Sequence, residues 1–286
     1  MKKNLLLAGI LTGVAIASYT IKIDPVFTAP PAVGDVAETV AETTVASSSF
    51  NYQDYAEVLA TYVDEQGLVD YLNLQQNREQ LDRFNQSLGA VSPETYASWT
   101  EAEQIAFLSN AYNSFTLQSI IDQDPLKDSI RQIRGVWNRR TFNLAGEART
   151  LDNIEHDILR QEFNEPRIHV ALVCAAISCP PLRNEPYLPD QLDAQLDDQT
   201  VKFASSPHGL SIDRQENYVY LSSIFKWYGK DFIKTFGVED KFNGNEQQRA
   251  VLNYFSPQLN AQDRQFLEQG DYKVKYLDYD WSLNKQ

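Results

Sequence analysis

The sequence predicts an α+β protein: a mostly helical single domain around a small, largely antiparallel sheet. Three patterns point there. Most segments after residue 50 repeat their apolar residues at the helical period, and Glu101–Ile121 is apolar on every side. Short extended pieces separated by turn residues occur at Phe142–Arg149 and Leu210–Leu221. No internal repeat, Gly-rich phosphate loop or Walker pattern interrupts them.

In order along the chain, Lys2 and Lys3 precede an apolar run from Leu5 to Ala17 that ends in Ala15-Ile16-Ala17. This reads as a bacterial-type export signal over residues 1–17, cleaved before Ser18. The alternative is an uncleaved anchor extending to Ile23. Residues 18–49, rich in Pro, Ala, Val, Thr and Ser, read as a flexible tether. The globular domain is then expected over residues 50–286.

Within it, Asn51–Tyr62 reads as a helix through Tyr55, Val58, Leu59 and Tyr62. Gly67–Tyr71 reads as a turn and a short extended piece, and Asn73–Leu88 as a polar helix. Ser92 caps a helix that has Pro93 at its first position. Glu101–Ile121 is a buried central helix carrying Asn110 and Asn113 near one another on one face. A hairpin is expected around Ala145-Gly146, followed by a Thr150-capped helix to about Phe163. Ile168–Cys174, an apolar run of strand length, reads as a buried strand. A polar helix from Asp190 to about Phe203 follows. Then come a hairpin at Leu210–Leu221, an aromatic helix at Ser222–Phe236, a helix at Gln247–Leu259 and a half-buried strand at Tyr272–Tyr279.

A formal net charge of -14 argues against nucleic acid as a partner, because phosphate binding needs clustered Lys and Arg. A membrane partner is expected only if the N-terminal segment stays uncleaved.

The chemistry concentrates between Thr150 and Arg183, which hold both cysteines, Cys174 and Cys179, and two of the three histidines, His156 and His169. Glu155 falls in the apolar stripe of its helix, so it is expected to be buried, with Arg167 or Arg183 as partner. His156 falls at the stripe's edge, its side chain diverging from that of Glu155. In a strand, His169 and Cys174 face opposite ways, and Cys174 is expected to be buried and inert. Cys179, stiffened by Pro180 and Pro181, is the expected accessible thiol, over which His169 could act. A disulfide and free thiols remain equally open. Asn110 and Asn113 either tie down loops or face a substrate. His208, in a turn, is expected in solvent. Cys174, Cys179 and His169 compose a zinc-like set, yet two cysteines and few histidines lead us to expect neither metal nor cofactor.

Five segments in order, AFLSNAYNSFTLQSI, LDNIEHDILR, PRIHVALVCAAISCPPLR, LSSIFKWYGKDF and YLDYDWSLN, resemble the family called domain of unknown function 547. The resemblance spans Asn51 to Asn284. It implies a bacterial, often exported domain; plant members carry a leucine-zipper segment that this chain does not contain. A distant papain- or transglutaminase-like kinship is a further expectation, but Asn110 and Asn113 stand on the central helix where such an enzyme would carry its cysteine.

The expected activity is that of a thiol-dependent hydrolase or acyltransferase on a small-molecule or peptide substrate outside the cytoplasm. Cys179 would be the nucleophile, His169 the base, and Asn110 or Asn113 the orienting amide. The alternative is a non-catalytic binding or scaffold domain.

Overall fold

The computed structural model describes residues 50–286. The expected export signal and tether lie outside the described residues. Helices α1 (Gln53–Tyr62), α2 (Tyr71–Gln76), α3 (Glu79–Ala90) and α4 (Pro93–Ala97) lead into α5 (Glu101–Ile121). Strands β1 (Phe142–Leu144) and β2 (Glu147–Arg149) form the expected hairpin. Ala145 and Gly146 both have positive φ, the geometry a tight two-residue hairpin turn demands.

A π-helix (Asn153–Leu159) runs into α6 (Arg160–Glu162), and α7 (Ile168–Ala171) follows. Then come α8 (Leu192–Ser205), strands β3 (Leu210–Asp213) and β4 (Tyr218–Leu221), α9 (Ser223–Tyr228) and α10 (Ile233–Phe236). The chain ends with α11 (Glu246–Phe255), α12 (Ala261–Gln269) and β5 (Lys273–Tyr276). β4 pairs antiparallel with β3 and parallel with β5, so the architecture is α+β as expected, with one parallel pairing. No helix among the described residues is long and apolar enough to cross a membrane.

The core has two centres. In the first, α5 is the axis: Thr100 and Glu103 form a capping box at its start, and residues on all its sides are buried. In the second, Phe203, Phe225, Phe232 and Phe255 pack together beneath the three-stranded sheet. Tyr279 packs against both.

Several expectations are corrected. Ile168–Cys174 is not a strand: Ile168–Ala171 is a helical turn and the rest is irregular. A short apolar run does not by itself distinguish the two. Here Asn113 takes the place of a neighbouring strand, accepting from Val173 N–H at 2.8 Å and donating to the Ala171 carbonyl at 3.0 Å. Tyr71, read as extended, starts α2 behind an Asp70 cap, and the helix from Asn73 breaks at Asn77 before α3 begins. The aromatic helix from Ser222 breaks into α9, a 3-10 turn at Gly229–Phe232, and α10. Helix α12, capped by Asn260, was not expected. His208 is half-buried, its Nδ1 lying 3.2 Å from Ser178 Oγ.

Candidate functional site

A cavity of about 400 Å³ opens on the seam between the two cores. Every segment singled out for chemistry reaches it, except the asparagines of α5. Cys174 and Cys179 line one wall, Glu155 and His156 another, and His169 a third; Trp227, Tyr228, Tyr279 and Trp281 complete it.

The thiol wall is built by local backbone. Both cysteines are free. Ala175 has a φ of 57°, the left-handed region that L-residues visit rarely. This kink turns the chain back on itself, so that Cys174 N–H donates to Cys179 Sγ at 3.1 Å. Gly67 permits the neighbouring turn: a Cβ there would lie 2.6 Å from Leu182 N and 2.7 Å from Pro181 Cα.

The C-terminal segment closes the wall. Ile177 N–H donates to Ser282 O at 2.8 Å and Asn284 N–H to Ala175 O at 3.2 Å, with an antiparallel bridge between Ala176 and Leu283. This zipper delivers the Tyr279 hydroxyl to both sulfurs, 3.1 Å from Cys179 and 3.3 Å from Cys174. A phenol has one proton. Given to Cys179, it stabilises that sulfur as the anion. Burial pushes the Cys179 thiol up, but hydrogen bonds from Cys174, Tyr279 and the backbone amides outweigh it and hold the group below its ordinary value. Its hydrogen bond to Cys179, then burial, push Cys174 well above.

The exposure expected of the two thiols is reversed. Cys179 is 6% exposed and Cys174 is half-buried. The turn that brings the Cys174 amide onto Cys179 also covers it.

His169 is buried, its ring stacked on Tyr228 at 4.5 Å and its Nε2 2.8 Å from Asp231 Oδ2. Asp231 also receives Arg160 Nε at 2.6 Å. Burial would raise this carboxyl, but hydrogen bonds from His169 and then Arg160 hold it well below the usual carboxylate range. In the helical turn, His169 and Leu172 are three apart and share a face, and both line the cavity.

Glu155 is buried as expected, at 9% exposure, but neither expected arginine reaches it. Arg167 is held by Glu165, Asp193 and Asp197, and Arg183 by Glu185 and Asp198. Glu155 instead faces the hydroxyls of Tyr112 and Tyr228, both driven up by burial and then by this carboxylate. The π-helix widens the turn, so Glu155 and His156 both face the cavity, His156 Nδ1 approaching Glu155 Oε1 to 3.9 Å. π-Turns recur at functional sites.

Asn110 and Asn113 are spent on backbone. Asn110 brackets Tyr187, accepting from its N–H at 3.0 Å and donating to its carbonyl at 2.8 Å. Asn113 brackets Ala171 and Val173. Neither lines the cavity. Among the described residues no group of three or more His, Cys, Asp or Glu side chains is placed to hold a metal ion.

Sequence reasoning missed Asp231, Tyr228 and Tyr279. All three lie in segments quoted above, KWYGKDF and YLDYDW, but as aromatic and acidic residues in amphipathic stretches they carry no local sign of a site.

No curated protein and no solved structure matches this chain. The model of one family, described as "Protein of unknown function, DUF547", matches residues 96–204, from the end of α4 through α8. The matched segment holds the central helix, the π-helix and the Cys174–Cys179 turn, while Asp231 and Tyr279 lie beyond it. Over residues 96–204 the chain is thus similar to the same family that its motifs resemble.

Proposed function

We propose that this chain is a thiol-dependent acyl-transfer enzyme, a hydrolase or acyltransferase, acting outside the cytoplasm on a small-molecule or peptide substrate. The observation that carries the reading is that one cavity is lined both by Cys179, held by Cys174 N–H and Tyr279, and by a carboxylate-oriented imidazole. Such a constellation suits covalent catalysis: a stabilised thiolate attacks, and an oriented imidazole moves the proton.

In this scheme Cys179 Sγ bonds to the substrate carbonyl carbon. The bond from that carbon to the leaving group breaks, and His169, fixed by Asp231, protonates the departing atom. Water or an amine then attacks the thioester, gives its proton to His169, and releases the thiolate. Asn110 and Asn113 hold the loops that position these groups.

The test uses the full chain with p-nitrophenyl acetate. An initial burst of nitrophenol and an acetyl adduct on Cys179 are expected, absent in Cys179→Ala, present in Cys174→Ala and slowed in Asp231→Asn. No adduct on Cys179, or one indifferent to His169→Ala, overturns the reading. A non-catalytic binding domain is the second reading, favoured by the burial of Cys179. It expects no burst and no adduct.

A further inference from the structure

The charge and shape of this cavity are one-sided. Glu155 and Asp152 line it, and no lysine or arginine does. Arg160 is bonded to Asp231, and Arg131 lies over the Trp281 ring at 5.3 Å. Glu155 has lost most of its water and forms no ion pair with a lysine or arginine among the described residues; its nearest basic atom is His156 Nδ1 at 3.9 Å. Arg160, which touches His156 and the Tyr228 ring, opposes this carboxylate only at longer range.

Another part of the lining is aromatic. Trp227 lies 4.9 Å from Tyr279 and 6.0 Å from Trp281, and Tyr279 lies 4.6 Å from Trp281, ring centre to ring centre. Trp227 is 45% exposed, although tryptophan contributes much when covered. Aromatic faces attract cations through their quadrupole, and most strongly where water is excluded.

We propose that the cavity binds the alkylammonium group of its substrate, between the Trp227–Trp281 wall and the Glu155 and Asp152 carboxylates. The inference rests on the same cavity as the acyl-transfer reading and names its substrate class. The ammonium acts as the specificity handle, and the acyl carbon lies toward the thiol wall. Neutral substrates of the same shape lack both the ring attraction and the carboxylate.

The test reads binding rather than turnover, so it stands apart from the fate of Cys179 as nucleophile. Tryptophan fluorescence of full-length Cys179→Ala protein is titrated with choline and with 3,3-dimethyl-1-butanol, its uncharged isostere. Choline is expected to bind at least tenfold tighter. Glu155→Gln should weaken choline at least tenfold while leaving the isostere unchanged. Asp152→Asn and Trp227→Leu, at partly exposed positions, should each weaken choline several-fold and keep the proposal testable if Glu155→Gln does not fold. Equal affinity for choline and its isostere, no binding of choline, or choline binding indifferent to all three substitutions overturns the proposal. Failure of the acetyl adduct with selective choline binding would remove the enzyme reading alone.

Discussion

The Tyr279 hydroxyl lies 3.1 Å from Cys179 Sγ, across a hundred residues of chain, and the same oxygen lies 3.3 Å from Cys174 Sγ. One proton shared among three heavy atoms makes the two thiols unequal. Cys179 is the stronger acid and the better anion, and Cys174 keeps its proton. Exposure ranks them the other way, so their reactivity separates an electrostatic from a steric cause.

Iodoacetamide at neutral pH should therefore modify Cys179 before Cys174, because the thiolate is the reactive species. Tyr279→Phe removes a donor to that thiolate. The apparent pKa of Cys179 alkylation should move up and its rate at neutral pH should drop. Peptide mapping that finds Cys174 modified first would show that burial wins over thiolate stabilisation.

Asp231 yields a pH dependence. Its carboxyl sits below the ordinary value despite burial, because His169 and Arg160 hydrogen-bond the charged form. A depressed folded value contributes stability above the unfolded pKa, roughly 3.9, and loses it as pH falls toward the folded one. The melting-temperature gap between the parent and Asp231→Asn should be constant from pH 7 to about 5 and shrink below about 4. A gap that persists undiminished at pH 2.5 would show that the carboxylate adds nothing through its charge.

Glu155→Ala tests the absence of an arginine partner. Breaking a buried ion pair costs about 3–5 kcal/mol. Losing the acceptor should cost only about 1–3 kcal/mol, because the partly exposed Tyr228 hydroxyl can turn to water and Tyr112 alone is left unpaired. Glu155→Gln, which keeps an acceptor, should cost less than Glu155→Ala. Chemical denaturation of the two variants measures this, and a loss in the ion-pair range for Glu155→Ala would contradict the partner set described.

Asn113→Ala removes the side chain that stands in for a neighbouring strand. It should cost about 1–3 kcal/mol for each of the two backbone groups left unpaired, Ala171 C=O and Val173 N–H. Both flank the cysteine turn, so Cys179 alkylation should also slow. A variant that melts with the parent would mean that water or another group replaces the amide at no cost.

Maturation is tested by Edman sequencing of material recovered outside the cytoplasm. The Ala15-Ile16-Ala17 pattern leads us to expect Ser18 as the first residue. Recovery of Met1 would leave the N-terminal segment attached.

What could be read from the sequence was whatever periodicity and local chemistry encode. Helix α5 was legible residue for residue, since a helix apolar on every side has only one place to go. The β1–β2 hairpin was legible because Ala145-Gly146 offers few alternatives to a tight turn. The burial of Glu155 followed from the spacing of Leu151, Ile154, Ile158 and Leu159, and the clustering of Cys174, Cys179, His156 and His169 marked the right stretch.

What only the tertiary structure decided were the partners. Ile168–Cys174 has the composition of a strand, yet a side-chain amide from α5 satisfies its backbone and lets its first part coil. His169 is oriented by Asp231, 62 positions on, and Cys179 by Tyr279, 100 positions on. The two expected arginines found nearer carboxylates, leaving Glu155 to Tyr112 and Tyr228. Secondary structure follows from nearest-neighbour sterics and amphipathic period, which a sequence displays directly. Hydrogen-bond partners across a seam between two cores depend on how those cores dock, and that information is spread over residues whose local pattern says only that they are aromatic, acidic or buried.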